Sequence, residues 1–294
     1  MAEPTLAELV TDALGVEVVS LHPLTGGDNA AVFRADLDDG RRVAVKTDRP
    51  GVPAMDHDTE ARGLSWLRES GTVRVPAVLG VAPAGPGRPG VLVLEWVEES
   101  AGQRWSGSGE DAFGRDLAAL HGSGAPCFGR EDRRTTGSRR LPNEPCATWA
   151  EFQRSQRLLP LARLAHDTGA LDDETTAGLA DIAERLEELG GPPEPPARLH
   201  GDLWAGNRLI DRSGNSWLID PAAHGGHREF DLAMMRLFGG FDERCFAAYD
   251  EVAPLAAGWQ GRVALHQLAP LAVHAVKFGG SYAAATRRAV DEYR

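Results

Sequence analysis

The chain has 294 residues, 42% of them hydrophobic, enough to bury the core of one large domain or of two lobes. Its 43 acidic and 31 basic side chains leave a formal charge of -12, and no Lys/Arg cluster is interleaved with aromatics, so the sequence offers no footprint for nucleic acid as a partner. The opening MAEPTLAELVTDALG carries acids where a signal peptide needs a basic start, and no apolar run reaches the roughly eighteen residues of a membrane span, so the expectation is a soluble cytoplasmic protein without a membrane partner.

Two scarce residue types narrow the chemistry. Cys127, Cys146 and Cys245 are odd in number, far apart and without a CxxC spacing, which fits inert, reduced thiols better than a disulfide framework or a zinc site. Among the basic residues only Lys46 and Lys277 are lysines. Where arginine serves wherever positive charge suffices, a lysine that persists is the one needed for its compact, flexible ammonium.

PLTGGDNA places Gly26 and Gly27 at a turn between strands. From Val32 to Val45, VFRADLDDGRRVAV alternates around an Asp-Asp-Gly turn and predicts a β-hairpin. DHDTEARGLSWLR, Asp56 to Arg68, has helical spacing behind an acidic first turn. A VPAVLG strand, the Pro/Gly-rich APAGPGRPG and the buried-strand run VLVLEWV complete a small β-rich lobe over residues 1–97. Residues 98–294 form a larger, mainly helical lobe. DAFGRDLAALHG and LDDETTAGLADIAERLEELGG predict helices closed by glycine, the Arg-rich REDRRTTGSRRLPNEPC between them reads as a surface loop, and helices fill the C-terminal part. No internal repeat is present.

The stretch LHGDLWAGNRLIDRSGNSWLIDPA, residues 199–222, carries the chemistry. RLID and SWLID predict a second hairpin, with Asn207 and Asp220 at neighbouring strand ends. A carboxylate and an amide oxygen near a further carboxylate suit Mg2+ and bound phosphates. The kinase template has an Asp that positions the acceptor hydroxyl and takes its proton, an Asn after four intervening residues, and a later metal-binding Asp. Asp202, Asn207 and Asp220 meet that order. The template then requires a Lys on a small-lobe strand and a Glu on the next helix. VAVK supplies Lys46 and the predicted helix supplies Glu60, with the GGDN turn over the phosphates and the backbone of Glu95, Trp96 and Val97 as the hinge that meets adenine.

Each piece alone has a plainer explanation. HGD is a common turn, Asn207 and Asp220 could cap a hairpin, Glu60 has acidic neighbours in Asp56, Asp58 and Glu69, and Gly-Gly is a frequent turn. The four chemical pieces in order outweigh those explanations. Trp204 either stacks on the acceptor or packs. His227 and Arg228 either meet the acceptor, or the His is buried and the Arg pairs with Asp231, the more economical assignment.

Here HGDLWAGN, DPAAHGGHREFDLAMMRLFGGF, AYDEVAPLAAGWQGR and HAVKFGGSY resemble the fructosamine kinase, or ketosamine-3-kinase, family across nearly the whole chain, densely after His200 and loosely before it. The resemblance implies an α+β, protein-kinase-like two-lobed fold related to aminoglycoside and choline kinases. It also implies ATP- and Mg2+-dependent phosphorylation of the 3-hydroxyl of ketoamines, small or protein-bound, as a step in deglycation. Carried over, Asp202 is the general base, Asn207 and Asp220 hold Mg2+, and Lys46 with Glu60 positions phosphate. FGREDRRTTGSRRLPN departs from the family wording where the acceptor pocket would be shaped, and GGDN lacks the cysteine some relatives carry. Alternatives are a kinase for an aminoglycoside or amino alcohol, and a nucleotide-binding protein without turnover. DPA in place of DFG and the lack of an APE segment argue against a protein kinase.

Overall fold

A computed structural model describes residues 4–25, 30–49, 51, 56–100, 107–132, 135–136 and 141–294. The chain forms two units, one of Met1–Trp105 with Arg208–Pro221, the other of Ser106–Asn207 with Ala222–Arg294. The 97/98 boundary expected from sequence therefore misses one feature: the hairpin that carries Asp220 belongs to the first unit.

That unit contains α1 (Leu6–Leu14), β1 (Val18–Leu24), β2 (Ala30–Leu37), β3 (Arg42–Asp48), α2 (His57–Glu69), β4 (Val78–Ala82) and β5 (Val91–Glu95). Helix α1 starts in a capping box, in which the Thr5 hydroxyl accepts from the Glu8 N–H and the Glu8 carboxylate accepts from the Thr5 N–H. Its Leu9 and Val10 pack on Val43, Val45, Val91 and Val93. The strands form one antiparallel sheet in the order β1-β2-β3-β5-β4. With Val43 and Val45 turned to the α1 core, the strand alternation sends Lys46 to the opposite face. Helix α2 starts at Asp56, whose carboxylate accepts from the Thr59 N–H at 3.0 Å, and it buries Glu60 along with Ala61, Leu64 and Leu67.

The rest of the chain runs through α3 (Gly107–Gly122), the two-residue strands β6 (Thr135–Thr136) and β7 (Leu141–Pro142), α4 (Trp149–Phe152), a π-helical turn over Gln153–Leu158, α5 (Leu159–Asp167), α6 (Asp173–Glu184) and α7 (Leu186–Leu189). Then come β8 (Ala197–Leu199), β9 (Arg208–Ile210), β10 (Ser216–Leu218), β11 (His224–Gly226), α8 (Glu229–Phe238), α9 (Glu243–Val252), α10 (Val263–Phe278) and α11 (Ser281–Asp291). The expected single helix of residues 171–191 is broken at Arg185, where the backbone leaves the helical region.

The β9–β10 hairpin turns on Asp211, which accepts from the Ser213 and Asn215 N–H groups and from the Trp217 indole; these bonds hold its carboxyl down to about 2 against the opposing effect of burial. Hydrogen bonds from the Leu218 N–H to the Arg74 carbonyl and from the Ser100 N–H to the Ile210 carbonyl, both 2.9 Å, attach the hairpin to the first unit.

In the second unit, α4 to α6, α10 and α11 surround a core that includes Phe152, Leu158, Leu161, Leu179, Leu265 and Leu268. Helices α3 and α9 approach so closely that a Cβ on Gly114 would lie 2.2 Å from the Cys245 carbonyl oxygen. The three cysteines are free thiols, with Cys146 and Cys245 buried. Among the described residues no helix is long and apolar enough to cross a membrane.

Candidate active site

The first unit assembles a charged trio. Lys46 pairs through β3 with Val32 of β2 and Leu92 of β5, which fixes its position on an interior strand. Its ammonium, 6% exposed, donates to Glu60 Oε1 at 2.7 Å and to Asp220 Oδ1. Burial by itself would lower the lysine pKa, but the Glu60 and Asp220 carboxylates outweigh it and hold the ammonium above its ordinary value. Glu60 is driven upward, first by burial and then by the like charge of Asp220, against the pull of Lys46. With one cation between two carboxylates, the trio carries net negative charge when all three are ionised. Asp220 has φ 55°, the only positive value among described non-glycine residues. A non-glycine residue in that region is held there by its surroundings, here the bond between its carboxylate and Lys46.

The second unit assembles the loop that carries Asp202. Asn207 donates its side-chain N–H to the Asp202 carbonyl at 2.9 Å and to Asp202 Oδ2 at 3.2 Å, which fixes the orientation of both side chains and leaves the Asn207 oxygen as an acceptor. The loop itself is held from below by Asp231 of α8, at zero exposure. Its two oxygens accept from the His200 N–H at 2.7 Å and the Gly201 N–H at 2.9 Å, and His121 Nε2 lies 3.2 Å away. His121 is held in turn by the Tyr249 hydroxyl at 2.8 Å from Nδ1. Burial would raise the Asp231 carboxyl, yet the His121 hydrogen bond, nearby positive charge and the Gly201 N–H keep it below the ordinary range. Gly201 has φ 81°, and a Cβ there would lie 2.2 Å from the Ala222 carbonyl oxygen, so the Gly of HGD is required by the backbone and by the space.

The structure thus brings together Lys46, Glu60 and Asp220 in one unit and Asp202 with Asn207 in the other. Glu95 ends β5, its N–H donating to the Ala77 carbonyl at 2.9 Å and its carboxylate accepting from the Ala77 N–H at 3.0 Å; Trp96 donates its indole N–H to Glu98, and Val97 is buried. Gly26 and Gly27 lie outside the described residues. Trp204 is 40% exposed.

His227 is 3% exposed, packed against the rings of Trp149 and His266 and beside Glu194 and Glu229, and burial with the His266 charge takes its pKa down to about 3. That is the environment of a packed, neutral imidazole. The expected Arg228–Asp231 pair does not form. Arg228 makes a two-pronged bond to Glu194 at 2.7 and 2.8 Å, while Asp231 serves the catalytic-type loop. Sequence reading also gave no role to His121. The available signal was EFDLAMM, a carboxylate among apolar helix residues that had to find donors.

Comparison with known proteins adds four findings. The family model described as Fructosamine kinase matches residues 3–294. A crystal structure from Thermobifida fusca, assigned as a fructosamine-3-kinase, is similar with TM-score 0.87 and 40% identity, covering 98% of both chains. The protein-ribulosamine 3-kinase of Arabidopsis thaliana chloroplasts is 30% identical over 100% of this chain and 88% of its own length. An aminoglycoside phosphotransferase, a thermostable mutant in apo form, shares the fold alone at TM-score 0.62 and 17% identity, covering 97% of both chains. The β-rich first unit and the helical second unit are those of a protein-kinase-like fold.

Proposed function

The chain belongs to the fructosamine kinase family, and on that premise we propose that it transfers the γ-phosphoryl group of ATP to the 3-hydroxyl of ketoamines, the fructosamine or ribulosamine adducts of amines. The observation that carries the reading is the buried Lys46 held between Glu60 and Asp220, a partner 174 residues away. A buried lysine with that arrangement has a cation to offer to α and β phosphates while Glu60 retains it. Gly26 and Gly27 supply backbone donors over the phosphates, and Glu95, Trp96 and Val97 the hinge for adenine, on the sequence pattern.

Asp202 takes the proton of the acceptor hydroxyl as that oxygen bonds to the γ-phosphorus; the bond to the β-phosphate oxygen breaks and ADP leaves with its electron pair. Asn207 keeps the Asp202 carboxylate oriented through its side-chain N–H bonds. On the family pattern Asn207 and Asp220 would hold Mg2+, and each offers a suitable oxygen within its own unit: the Asn207 amide oxygen is left as an acceptor, and the Asp220 carboxylate, 35% exposed, has a second oxygen besides the one bonded to Lys46. When bound, the ion neutralises charge on the phosphate oxygens. The product ester sits beside the ketoamine carbonyl, where enolisation expels inorganic phosphate and the sugar fragment leaves the amine without further help from the protein.

The test is ADP release with Mg2+ and ATP against ribulosyl-lysine, fructosyl-lysine, an aminoglycoside panel and choline, with Asp202→Asn as control. Turnover confined to ketoamines and lost in the variant is the expected result. Higher kcat/KM on an aminoglycoside or choline, or full turnover by a folded Asp202→Asn protein, would sink the reading.

A further inference from the structure

Helix α2 meets β3 through two polar contacts, and the reaction proposed above uses only one of them. Along β3, the strand alternation that turns Lys46 away from the α1 core turns Asp48 the same way. Along α2, His57 and Glu60 are three residues apart and share a face. Lys46 meets Glu60 at 2.7 Å, and one turn nearer the start of α2, His57 Nε2 lies 3.3 Å from Asp48 Oδ1. Two acid–base contacts thus run side by side between the same two elements, with the acid on the helix in one and on the strand in the other.

The second contact is built but not closed. The Gly90 N–H donates to Asp48 Oδ2 at 2.7 Å and so orients the carboxylate, while the Gly90 carbonyl accepts from the Thr47 hydroxyl at 2.8 Å. A Cβ on Gly90 would lie 2.7 Å from His57 Cδ2 and 3.2 Å from Asp48 Oδ2, so glycine lets the ring lie against the carboxylate. His57 is 2% exposed, and among the described residues neither ring nitrogen has a hydrogen-bond partner, the approach to Asp48 lacking the alignment. A buried imidazole in that condition costs stability and calls for a reason other than packing. The charges around the ring are Asp48 and Lys46 of β3 and Asp56 at the start of α2, with Glu60 one turn on; Arg88, in the connection that supplies Gly90, faces Asp12 of α1. Burial, aided by the Lys46 charge, holds the imidazole below its ordinary pKa against the pull of Asp48 and Asp56. Near neutral pH the ring is therefore uncharged.

Resting on the ATP-dependent kinase reading above, we propose that His57 is a positioning residue for the Lys46–Glu60 pair: when nucleotide phosphate engages the Lys46 ammonium, His57 takes a proton from solvent and its imidazolium closes on Asp48, pinning α2 to β3. Phosphate oxygens offset the lysine charge that repels a proton from the ring. The imidazolium then makes a charge-assisted bond to a carboxylate that Gly90 has already turned toward it. Glu60, one turn along the same face of α2, is thereby kept at Lys46 while the lysine releases Asp220. No covalent bond to a heavy atom changes; one proton moves from water to the ring. Proton and nucleotide favour each other's binding, so nucleotide affinity rises as pH falls through the imidazole's range and levels off once the nucleotide-free protein is protonated as well.

Calorimetric titration with Mg2+ and AMP-PNP at about pH 6.5, the ordinary imidazole range, in two buffers of different ionisation enthalpy counts the protons taken up on binding. The wild-type protein should take up more than His57→Phe or the volume-conserving Asp48→Asn, and between about pH 7.5 and pH 6 its affinity should rise about three- to fivefold more than theirs. His57→Gln, which can bond Asp48 without taking a proton, should keep KM for ATP within about twofold of wild type but lose the extra proton uptake. In His57→Phe, KM for ATP should rise about fivefold with the acceptor KM unchanged, and this effect should vanish in a Glu60→Gln background, because His57 acts through Glu60. Equal proton uptake in wild type and both variants, or an undiminished effect of His57→Phe in the Glu60→Gln protein, would overturn the proposal. Wild-type protein that binds no AMP-PNP would sink the kinase reading and this proposal with it. The expected differences in proton uptake without turnover on any ketoamine would sink the substrate reading alone and uphold the role of His57.

Discussion

Replacing Asp231 with asparagine changes one buried atom, and phosphoryl transfer should collapse although Asp231 meets neither nucleotide nor acceptor in the proposed reaction. The ionised carboxylate at zero exposure accepts from the His200 N–H at 2.7 Å and the Gly201 N–H at 2.9 Å, on different oxygens, with His121 at 3.2 Å. Asparagine keeps one acceptor and turns an NH2 group toward a backbone N–H. One buried donor then goes unpaired, at about 1–3 kcal/mol, and the bonds that remain lose their charge assistance, roughly another 1 kcal/mol each. The sum is about 3–5 kcal/mol, within what a folded protein of ordinary stability survives.

The displaced segment carries Asp202, and a shift of about 1 Å in a reacting group costs on the order of a hundredfold in rate. Urea unfolding with steady-state kinetics and calorimetric ATP binding separates the effects. Stability should fall by about 3–5 kcal/mol and kcat about a hundredfold. ATP affinity should stay within twofold, because Lys46, Glu60 and Asp220 share no hydrogen bond with Asp231. Gly201→Ala, whose Cβ would meet the Ala222 carbonyl oxygen at 2.2 Å, should reproduce the pattern. An Asp231→Asn protein within about 1 kcal/mol of wild type and within threefold in kcat would refute the reasoning.

Acid should destabilise the fold in a defined window. His224 and His227 are each taken down to about 3, mainly by burial, so between that value and the unfolded 6.5 the unfolded chain binds protons that the folded one refuses. Stability is then present above the unfolded value and is lost as pH falls; from pH 7 to pH 5 each imidazole should cost about 2 kcal/mol, and a flat urea-midpoint profile there would contradict it. Lys46→Arg should fold with little change in Tm yet lose kcat by about a hundredfold or more. Near-normal turnover by that variant would show that the ammonium is not needed as such.

What was legible in the sequence was local. The Asp-Asp-Gly hairpin, the acid-started helix at Asp56 and the run VLVLE each carry their signal within a few residues, and β2–β3, α2 and β5 follow it. Helix α1 also announces itself, through Thr5 and Glu8, but those residues were read only for what they exclude as a leader. The allegiance of the β9–β10 hairpin was invisible, because it depends on the Arg74 carbonyl and the Ser100 N–H, more than a hundred positions away in the chain. Arg228 was matched to Asp231 for their proximity in sequence, yet the buried carboxylate found backbone donors and the guanidinium found Glu194. Spacing proposes partners that are near in sequence, and desolvation selects those that satisfy every buried donor.

The same competition explains why lysine persists at position 46. Elsewhere arginine makes the buried or half-buried ion pairs with its two-pronged fork, as Arg262 does to Glu229 at 2.8 and 2.5 Å and Arg228 to Glu194 at 2.7 and 2.8 Å. A fork engages a carboxylate at two points and fixes it. Lys46 instead bridges Glu60 and Asp220 from a single atom, one bond to each. An ammonium can release one carboxylate and turn toward a phosphate while keeping the other, whereas a guanidinium would hold both its position and its partner. Under the proposed role of Lys46, Lys46→Arg keeps the positive charge and with it the stability, but blocks the exchange of Asp220 for phosphate. On the proposed mechanism, arginine stands where an ion pair has only to hold, and lysine stands at position 46 because that pair has to open.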